Sequence, residues 1–203
     1  MRPECESKCR LLRTAMELIW ESSYGAVSVD DICRKAEVKK GSFYHFFPSK
    51  ADLTVAAMEA DWKAKQPDLD AIFSPQLPPL KRLERYCQNV LECQRQTLAT
   101  HGKILGCPMM TLGAELSTQE ETIRAKAAEI VGRYVRYFES AIRDAQAEGI
   151  VASGDAREAA ERVFSLFQGA LLQAKILNEL TPLEDLHKSL HRLLEVREET
   201  AVT

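Results

Sequence analysis

Apolar residues recur three and four positions apart along most of the chain, and this spacing limits the possible folds more than any other feature of the sequence. One example is the stripe of Val29, Ile32, Cys33 and Ala36, which fall at i, i+3, i+4 and i+7 as on one face of a helix. The alternation typical of strands is absent, and glycines and prolines separate the periodic segments. The sequence therefore predicts an all-α protein.

Composition is typical of a globular protein that works in a reducing, aqueous compartment. Of the 203 residues, 45% are hydrophobic and 28% are charged, which allows an ample core. No apolar run approaches the length of a membrane span, and the N-terminal segment lacks the apolar stretch of a signal peptide. The six cysteines include no C-x-x-C pair, which argues against a zinc framework. We therefore expect free thiols, no membrane contact and a cytoplasmic location.

Capping residues and prolines divide the chain into helices and two domains. Three pairs have the capping-box spacing of a helix start: Ser28 with Asp31, Ser49 with Asp52, and Ser117 with Glu120. Prolines between residues 67 and 79 predict a non-helical linker of about a dozen residues. The main expected helices cover about residues 6–22, 28–36, 49–65, 80–100, 117–148, 155–178 and 182–197, with short ones near 40–47 and after 108. We place a small domain at residues 1–50 and a larger one at residues 51–203, linked by the helix at 49–65.

Charge is distributed unevenly along the chain. The net charge of −3 by itself argues against nucleic-acid binding. Residues 1–50, however, hold nine Lys/Arg and seven Asp/Glu, whereas the remaining 153 residues hold 18 and 23. Between Val38 and Ala51 there are three lysines and no carboxylate. A short cationic element on an anionic body suits local contact with phosphates.

The segment KKGSFYHFFPSK, residues 39–50, combines these lysines with four aromatic residues. At about 100° per residue its phenylalanines share one arc, which predicts that they are core. These are Phe43, Phe46 and Phe47. The opposite arc is polar and carries Gly41, Tyr44 and His45. Two short helices joined by a tight turn, the second with such a face, describe a helix-turn-helix whose second helix enters the major groove of DNA.

Eight residues of this region are candidate contacts to double-stranded DNA. They are Ser28, Lys39, Lys40, Gly41, Ser42, Tyr44, His45 and Lys50. The first two lysines can meet phosphates or guanine edges, and the hydroxyl of Ser42 can hydrogen-bond to either. Gly41 lets a partner approach closely, and the side chains of Tyr44 and His45 are placed to hold the DNA backbone. Ser28 and Lys50 stand at helix starts, whose N–H groups bind phosphates.

The run SVDDICRKAEVKKGSFYHFFPSKADL, residues 28–53, resembles the DNA-binding region of TetR-family transcriptional regulators. The matching positions are Gly41, Phe43, Tyr44, Phe47, Ser49 and Lys50. The chain departs from the family pattern at Glu37, where many members have glycine, at Lys39, where serine is common, and at Phe46, which replaces a frequent histidine. The resemblance implies a homodimer that represses transcription from a palindromic operator until a small-molecule effector releases it. It also implies a larger helical domain for effector binding and dimerisation, with no cofactor.

Two hypotheses for the effector remain open. A noncovalent ligand would lie between helices of the larger domain, where the candidate lining residues are Trp62, Tyr86, Cys107, Met110, Tyr134 and Phe138. Alternatively, the run GCPMMTLGAELS, residues 106–117, is similar to a segment of family members that sense electrophiles or oxidants through its cysteine. Cys107 precedes Pro108, which fits a first helical turn, and a helix N-terminus favours the reactive thiolate. A small buried hydrophobe is the other interpretation of Cys107.

Apolar stripes near the C-terminus fit either a dimer interface or intramolecular core. One comprises Val163, Leu166, Phe167, Ala170, Leu171, Ala174 and Leu177, and the other Leu183, Leu186, Leu190, Leu193 and Leu194. A dimer is favoured because operators are usually palindromic. His187 and His191 have the spacing of metal ligands, but with no third ligand evident we expect no metal site. An enzyme is not expected, because the common nucleophile, phosphate and zinc motifs are missing, and a helical scaffold without DNA binding would leave the helix-turn-helix pattern unexplained.

Overall fold

The computed structural model describes residues 3–197, with side chains from Glu6 onwards. This part of the chain contains ten α-helices and no strand, which confirms the predicted all-α class. The helices are α1 (Pro3–Glu21), α2 (Val29–Ala36), α3 (Lys40–Phe46), α4 (Lys50–Ile72), α5 (Pro79–His101), α6 (Pro108–Leu116), α7 (Glu121–Ala147), α8 (Ala156–Leu177), α9 (Thr181–Glu184) and α10 (Leu186–Leu193). None of these described helices is long and apolar enough to cross a membrane.

The chain forms two compact units. The first comprises the chain up to Pro67 together with Pro108–Val131, and the second comprises Asp68–Cys107 and the chain from Gly132 onwards. The unit boundaries therefore fall inside α4 and α7 and immediately before α6. Both tryptophans, Trp20 on α1 and Trp62 on α4, belong to the first unit.

The core of the first unit explains why α3 has one apolar face. Phe43 is completely buried and Phe47 nearly so, and their ring centroids lie 6.1 Å apart. The neighbouring helices contribute the buried side chains Leu11, Ala15, Ile19, Ile32, Leu53 and Met58. Phe46, predicted as core, is only half-buried, because it is the last residue of α3 and lies where the chain turns away.

The predicted end of the fourth helix near Lys65, and the long linker after it, are wrong. α4 continues through Pro67 to Ile72, and only residues 73–78 separate it from α5. A proline inside a helix removes one hydrogen bond. Leu69 and Phe73, which follow it, are buried, and tertiary packing of this kind supplies most of the stability of a helix in a folded protein.

Two other helix boundaries differ from the prediction. Ser117 does not cap the seventh helix; it lies in a turn after α6, where its N–H donates to the carbonyl of Gly113 at 3.0 Å. α7 begins later, at Glu121. The expected final helix is divided at Asp185 into α9 and α10.

The core of the second unit is a cluster of aromatic rings from three helices, α5, α7 and α8, and from the segment after α4. Phe138 lies at its centre and is completely buried. Its ring centroid is 5.0 Å from that of Tyr86 and 5.5 Å from those of Phe73 and Phe167. Edge-on and stacked ring pairs at these distances are favourable beyond the area they bury, so this cluster is a strong determinant of the unit's packing.

Candidate nucleic-acid interface and effector site

The start of α2 is fixed by the predicted capping box. The Asp31 N–H donates to Ser28 Oγ at 3.1 Å, and the Ser28 N–H donates to Asp31 Oδ2 at 3.0 Å. The Ser28 hydroxyl also donates to this carboxylate, and these bonds from Ser28 lower the pKa of Asp31. Ser28 stays exposed at the helix N-terminus, in the place where a phosphate contact was predicted.

The turn between α2 and α3 passes through Glu37, which has left-handed backbone angles of φ 53° and ψ 44°. Its N–H points back to the carbonyls of Cys33 and Arg34, which closes α2. A residue with a Cβ is strained in this conformation by about 1–2 kcal/mol, and glycine is not. Glu37, which stands where many members of the resembled family have glycine, therefore strains the backbone of this turn.

The outward face of α3 is exposed and cationic. Lys39, Lys40, Ser42 and His45 are exposed, and 52% of the Tyr44 surface is accessible. The Tyr44 ring meets the buried Phe43 ring edge-on, with centroids 5.0 Å apart. The residues of the polar arc predicted from the helical wheel are thus exposed.

Neither packing nor backbone geometry requires a glycine at position 41. A Cβ added to Gly41 would meet no atom within 4 Å, and its backbone is not left-handed. Alanine is normally more stable than glycine inside a helix. A glycine that packing and backbone geometry do not need is suited to a surface that another molecule approaches closely.

Lys40 pairs with Asp30 of α2. Its ammonium Nζ lies 2.8 Å from Asp30 Oδ1, and both side chains are more than half exposed. The hydrogen bond to Asp30, and then its charge, raise the pKa of Lys40. Lys39 makes no ion pair with any residue of the described part of the chain. Lys40 would therefore have to leave Asp30 to bind a phosphate, whereas Lys39 would not.

Lys50 differs from the other candidate contacts because its ammonium is turned into the first unit. Its Nζ donates to the carbonyls of Tyr24 at 2.9 Å and Val27 at 3.0 Å. It also lies 3.8 Å from the centroid of the Tyr24 ring. Partial burial lowers the pKa of Lys50. A phosphate could recruit this ammonium only by displacing these three partners.

The candidate effector residues are divided between the two units. Trp62, which is buried, and Met110, which is partly exposed, belong to the first unit. Tyr86, Cys107, Tyr134 and Phe138 belong to the second. Burial raises the pKa of the Tyr86 phenol well above its ordinary value, and the nearby Tyr134 and Cys107 add to this shift. The second unit thus brings these four residues into one region.

The segment that precedes Cys107 is held by two amide side chains. Gln94 Oε1 accepts the N–H of Gly106 at 2.9 Å, and Asn178 Oδ1 accepts the N–H of Ile104 at 2.9 Å. Gly106 is left-handed, at φ +69°, and a Cβ there would lie 3.4 Å from Cδ of Lys175. Cys107 is half-buried. Cys107 therefore follows a segment that these two hydrogen bonds hold in place, and the Lys175 side chain passes close to Gly106.

Two cavities of the second unit, of about 240 Å³ and 310 Å³, do not contain the candidate effector residues. The smaller is lined by Glu84, Cys87, Gln88, Leu91, Leu183, Glu184 and His187. Burial raises the pKa of the Cys87 thiol to about 12. Within the described residues, no group of three potential metal ligands comes together. His191 lies instead 3.2 Å from a Glu84 oxygen.

α8 has one buried and one exposed apolar face. Much of the stripe read from the sequence is intramolecular core, since Val163, Phe167, Leu171 and Ala174 are buried. A second stripe on α8 is exposed: Gly169, Leu172 and Ile176 follow at i, i+3 and i+7, with 58% of Leu172 and 72% of Ile176 accessible. Leu177 and Leu193 are also exposed. The sequence pattern missed this second face because it contains fewer apolar residues than the buried one.

Comparisons with known proteins identify the family of this chain. Residues 11–57 match the family of bacterial regulatory proteins named tetR, and residues 79–190 match the tetracyclin repressor-like C-terminal domain. The transcriptional regulator AcuR of Cereibacter sphaeroides is 35% identical over 85% of this chain and 77% of its own.

Two related proteins have solved structures. The HTH-type transcriptional repressor NemR of Escherichia coli is 27% identical over 90% of both chains. Its crystal structure in the reduced form has a TM-score of 0.81 and 26% identity, covering 95% of this chain and 100% of that one. A regulatory protein TetR from Rhodobacter sphaeroides has a TM-score of 0.80 and 32% identity, covering 91% and 97%. This chain belongs to the TetR family of bacterial transcriptional regulators.

Proposed function

We propose that this regulator binds a palindromic DNA operator through α3, represses transcription there, and is released by a small-molecule effector. Residues 1–50 form the DNA-binding domain, residues 51–203 the effector-binding and dimerisation domain, and the protein acts in the cytoplasm. The observation that carries the proposal is the exposed face of α3. It combines Lys39, Lys40 and Ser42 with a glycine, Gly41, whose small size the fold does not require.

A homodimer is part of this proposal. Gly169, Leu172 and Ile176 form an exposed small and apolar stripe on α8, and exposed apolar patches of this kind are typical of interfaces. Two copies related by a two-fold axis would present two α3 helices to DNA half-sites about 10 bp apart. The name of the E. coli relative, a transcriptional repressor, supports repression rather than activation.

The direct test is selection of operator DNA by the purified protein from random or genomic fragments. We expect enrichment of one palindrome, bound by two copies of the chain, with an affinity that falls steeply as salt rises. The double variant Lys39→Ala/Lys40→Ala should lose this binding while keeping its helical content. Equal binding of all sequences, or undiminished binding by the double variant, would contradict the proposal.

A noncovalent effector is the first candidate for the releasing signal. Tyr86, Tyr134 and Phe138 provide aromatic surface in the second unit, and an amphipathic phenol such as that of Tyr86 suits a mixed apolar and polar ligand. An effector of this kind releases DNA only to the extent that it prefers the geometry that does not bind. Screening small molecules for loss of operator binding tests this directly, with Tyr86→Phe as a variant that keeps the ring.

A thiol sensor at Cys107 is the second candidate, favoured by one observation. Cys107 is half-buried and immediately precedes α6, and a position at a helix N-terminus promotes thiolate reactivity. The related E. coli repressor has been crystallised in a form described as reduced. N-ethylmaleimide labelling followed by mass spectrometry should modify Cys107 before the exposed Cys93, and should weaken operator binding in the wild type but not in Cys107→Ser. Faster labelling of Cys93, or an equal response of Cys107→Ser, would leave the noncovalent effector.

A further inference from the structure

The turn between α1 and α2 is held by a carboxylate from a distant part of the sequence. The Tyr24 N–H donates to Glu115 Oε2 at 3.0 Å, and the adjacent Gly25 N–H donates to Glu115 Oε1 at 2.9 Å. Glu115 lies in the last turn of α6 and belongs to the same compact unit as the turn. One carboxylate thus binds two consecutive amides, which is a strong, charge-assisted arrangement.

The same turn is held by Lys50 through its carbonyls. The Lys50 ammonium donates to Tyr24 O and Val27 O and lies over the Tyr24 ring. The turn's N–H groups therefore face an anion from α6, and its C=O groups face a cation from the start of α4. We call this arrangement of Tyr24, Gly25, Val27, Lys50 and Glu115 the turn clamp.

The turn clamp sets where the helix-turn-helix begins. Val27, whose carbonyl binds Lys50, immediately precedes Ser28, the N-cap of α2. α2 in turn packs through its buried residues Ile32, Cys33 and Ala36, and α3 follows after one tight turn. Packed helices of this kind shift as rigid bodies more easily than they deform, so a displaced α1–α2 turn displaces the recognition surface.

We propose that Glu115 is a positioning residue for DNA binding, which acts with Lys50 by holding the α1–α2 turn and hence α2 and α3 in the geometry that fits the operator. The proposal rests on the DNA-binding function proposed above. It gives Lys50 a role as an internal support, instead of a contact to phosphate. It also makes α6, the helix that directly follows Cys107 in the chain, an element on which operator affinity depends.

The direction in which Glu115→Gln changes operator affinity distinguishes a positioning role from simple repulsion between the carboxylate and the phosphates. Removing a carboxylate from a DNA-binding unit should by itself strengthen binding, since it reduces repulsion of the phosphates. Loss of the turn clamp should weaken binding, because only a fraction of molecules would then hold the competent geometry. We expect roughly tenfold weaker operator binding, the size of effect that losing a charge-assisted hydrogen bond has elsewhere. The matched control is Glu121→Gln, which removes an exposed carboxylate of the same unit that pairs only locally with Arg124.

The experiment measures operator affinity over a range of salt concentrations for the wild type, Glu115→Gln, Glu121→Gln and Lys50→Ala. Each is studied well below its thermal unfolding transition. Glu115→Gln and Lys50→Ala should both bind more weakly with an unchanged slope of log affinity against log salt, because neither loses a phosphate contact. Should Glu115→Gln fail to fold, Glu115→Asp replaces it, since its charge is kept but its oxygens fall short of the turn.

Three results would overturn the inference. Glu115→Gln, or its substitute Glu115→Asp, could bind as tightly as Glu121→Gln. Lys50→Ala could reduce the salt slope by about one, which would return Lys50 to the phosphate backbone. The Tyr24 and Gly25 amides could exchange with solvent equally fast in the wild type and in Glu115→Gln. Absence of operator binding by the wild type would contradict the proposed function instead, and amide exchange would still test the turn clamp.

Discussion

Lys40 and Asp30 face each other across the helix-turn-helix, with the ammonium Nζ of Lys40 2.8 Å from an oxygen of Asp30. Lys40 is the first residue of α3, and Asp30 lies in the first turn of α2. An exposed pair of this kind contributes little to folding. Its larger effect is on binding, because a phosphate that takes Lys40 must compete with a carboxylate that is already in place.

This competition predicts opposite effects for the two partners. Asp30→Asn should strengthen operator binding modestly, by up to about fivefold, because an exposed ion pair is only weakly held. Lys40→Ala should weaken binding to all sequences and reduce the salt slope by about one. Fluorescence anisotropy with labelled operator at several salt concentrations measures both quantities. Weaker binding by Asp30→Asn would indicate that the ion pair orients Lys40 instead of competing for it.

Gly41→Ala should separate folding from recognition. The free energy of unfolding should stay the same or rise by up to about 1 kcal/mol, because alanine is the better helix former and its Cβ meets no atom. Operator binding should weaken by about tenfold or more, since an added methyl group in a close-packed interface costs roughly 1–3 kcal/mol. Urea unfolding and operator titration test the two effects on the same sample. Unchanged affinity would show that DNA does not approach Gly41 closely.

Ile176→Glu should convert the protein to monomers. Ile176 is 72% exposed on the unpaired face of α8, and two like charges buried across a two-fold axis would oppose association. Analytical ultracentrifugation at micromolar protein should show the shift, together with weaker operator binding. Gln96→Glu adds the same charge at an exposed position of α5 and should leave the oligomeric state unchanged. A dimeric Ile176→Glu variant would place the interface elsewhere.

Glu37→Gly should stabilise the first unit. Glu37 has a left-handed backbone at φ 53°, and the relief of about 1–2 kcal/mol of strain exceeds the roughly 0.5–1 kcal/mol that glycine loses in chain entropy. We expect a net gain of up to about 1 kcal/mol in the free energy of unfolding. Glu37→Ala keeps a Cβ and serves as the control, which should show no such gain.

Local sequence patterns predicted the capping box of α2 and the buried face of α3, because both features depend on spacings of a few residues. The capping box of Ser28 and Asp31 spans three residues, and the burial of Phe43 and Phe47 follows from the period of a single helix. The burial predicted for Phe46 is wrong because a helical wheel does not show where a helix ends. The helix end predicted before Pro67 is wrong because the lost hydrogen bond of a proline is evident from the sequence, whereas the tertiary packing that offsets it is not.

The turn clamp had no local signal in the sequence. Glu115 and Tyr24 are 91 positions apart, and only the fold brings them together. Glu115 lies within the segment GCPMMTLGAELS, but nothing in that segment indicates a partner in the α1–α2 turn. Lys50 was assigned to phosphate from its place at a helix start, and nothing in its neighbours along the chain indicates that its ammonium turns towards Tyr24 and Val27.

The placement of Trp20 and Trp62 in one compact unit gives the protein an intrinsic optical label. Trp62 is almost completely buried on α4, and Trp20 lies on α1 with the Lys65 ammonium 6.0 Å from its ring. The second unit, whose core is the aromatic cluster, has no tryptophan among its residues. Selective excitation of indole therefore reports the surroundings of α1 and α4, and a shift in its emission on adding a compound marks a change within the first unit.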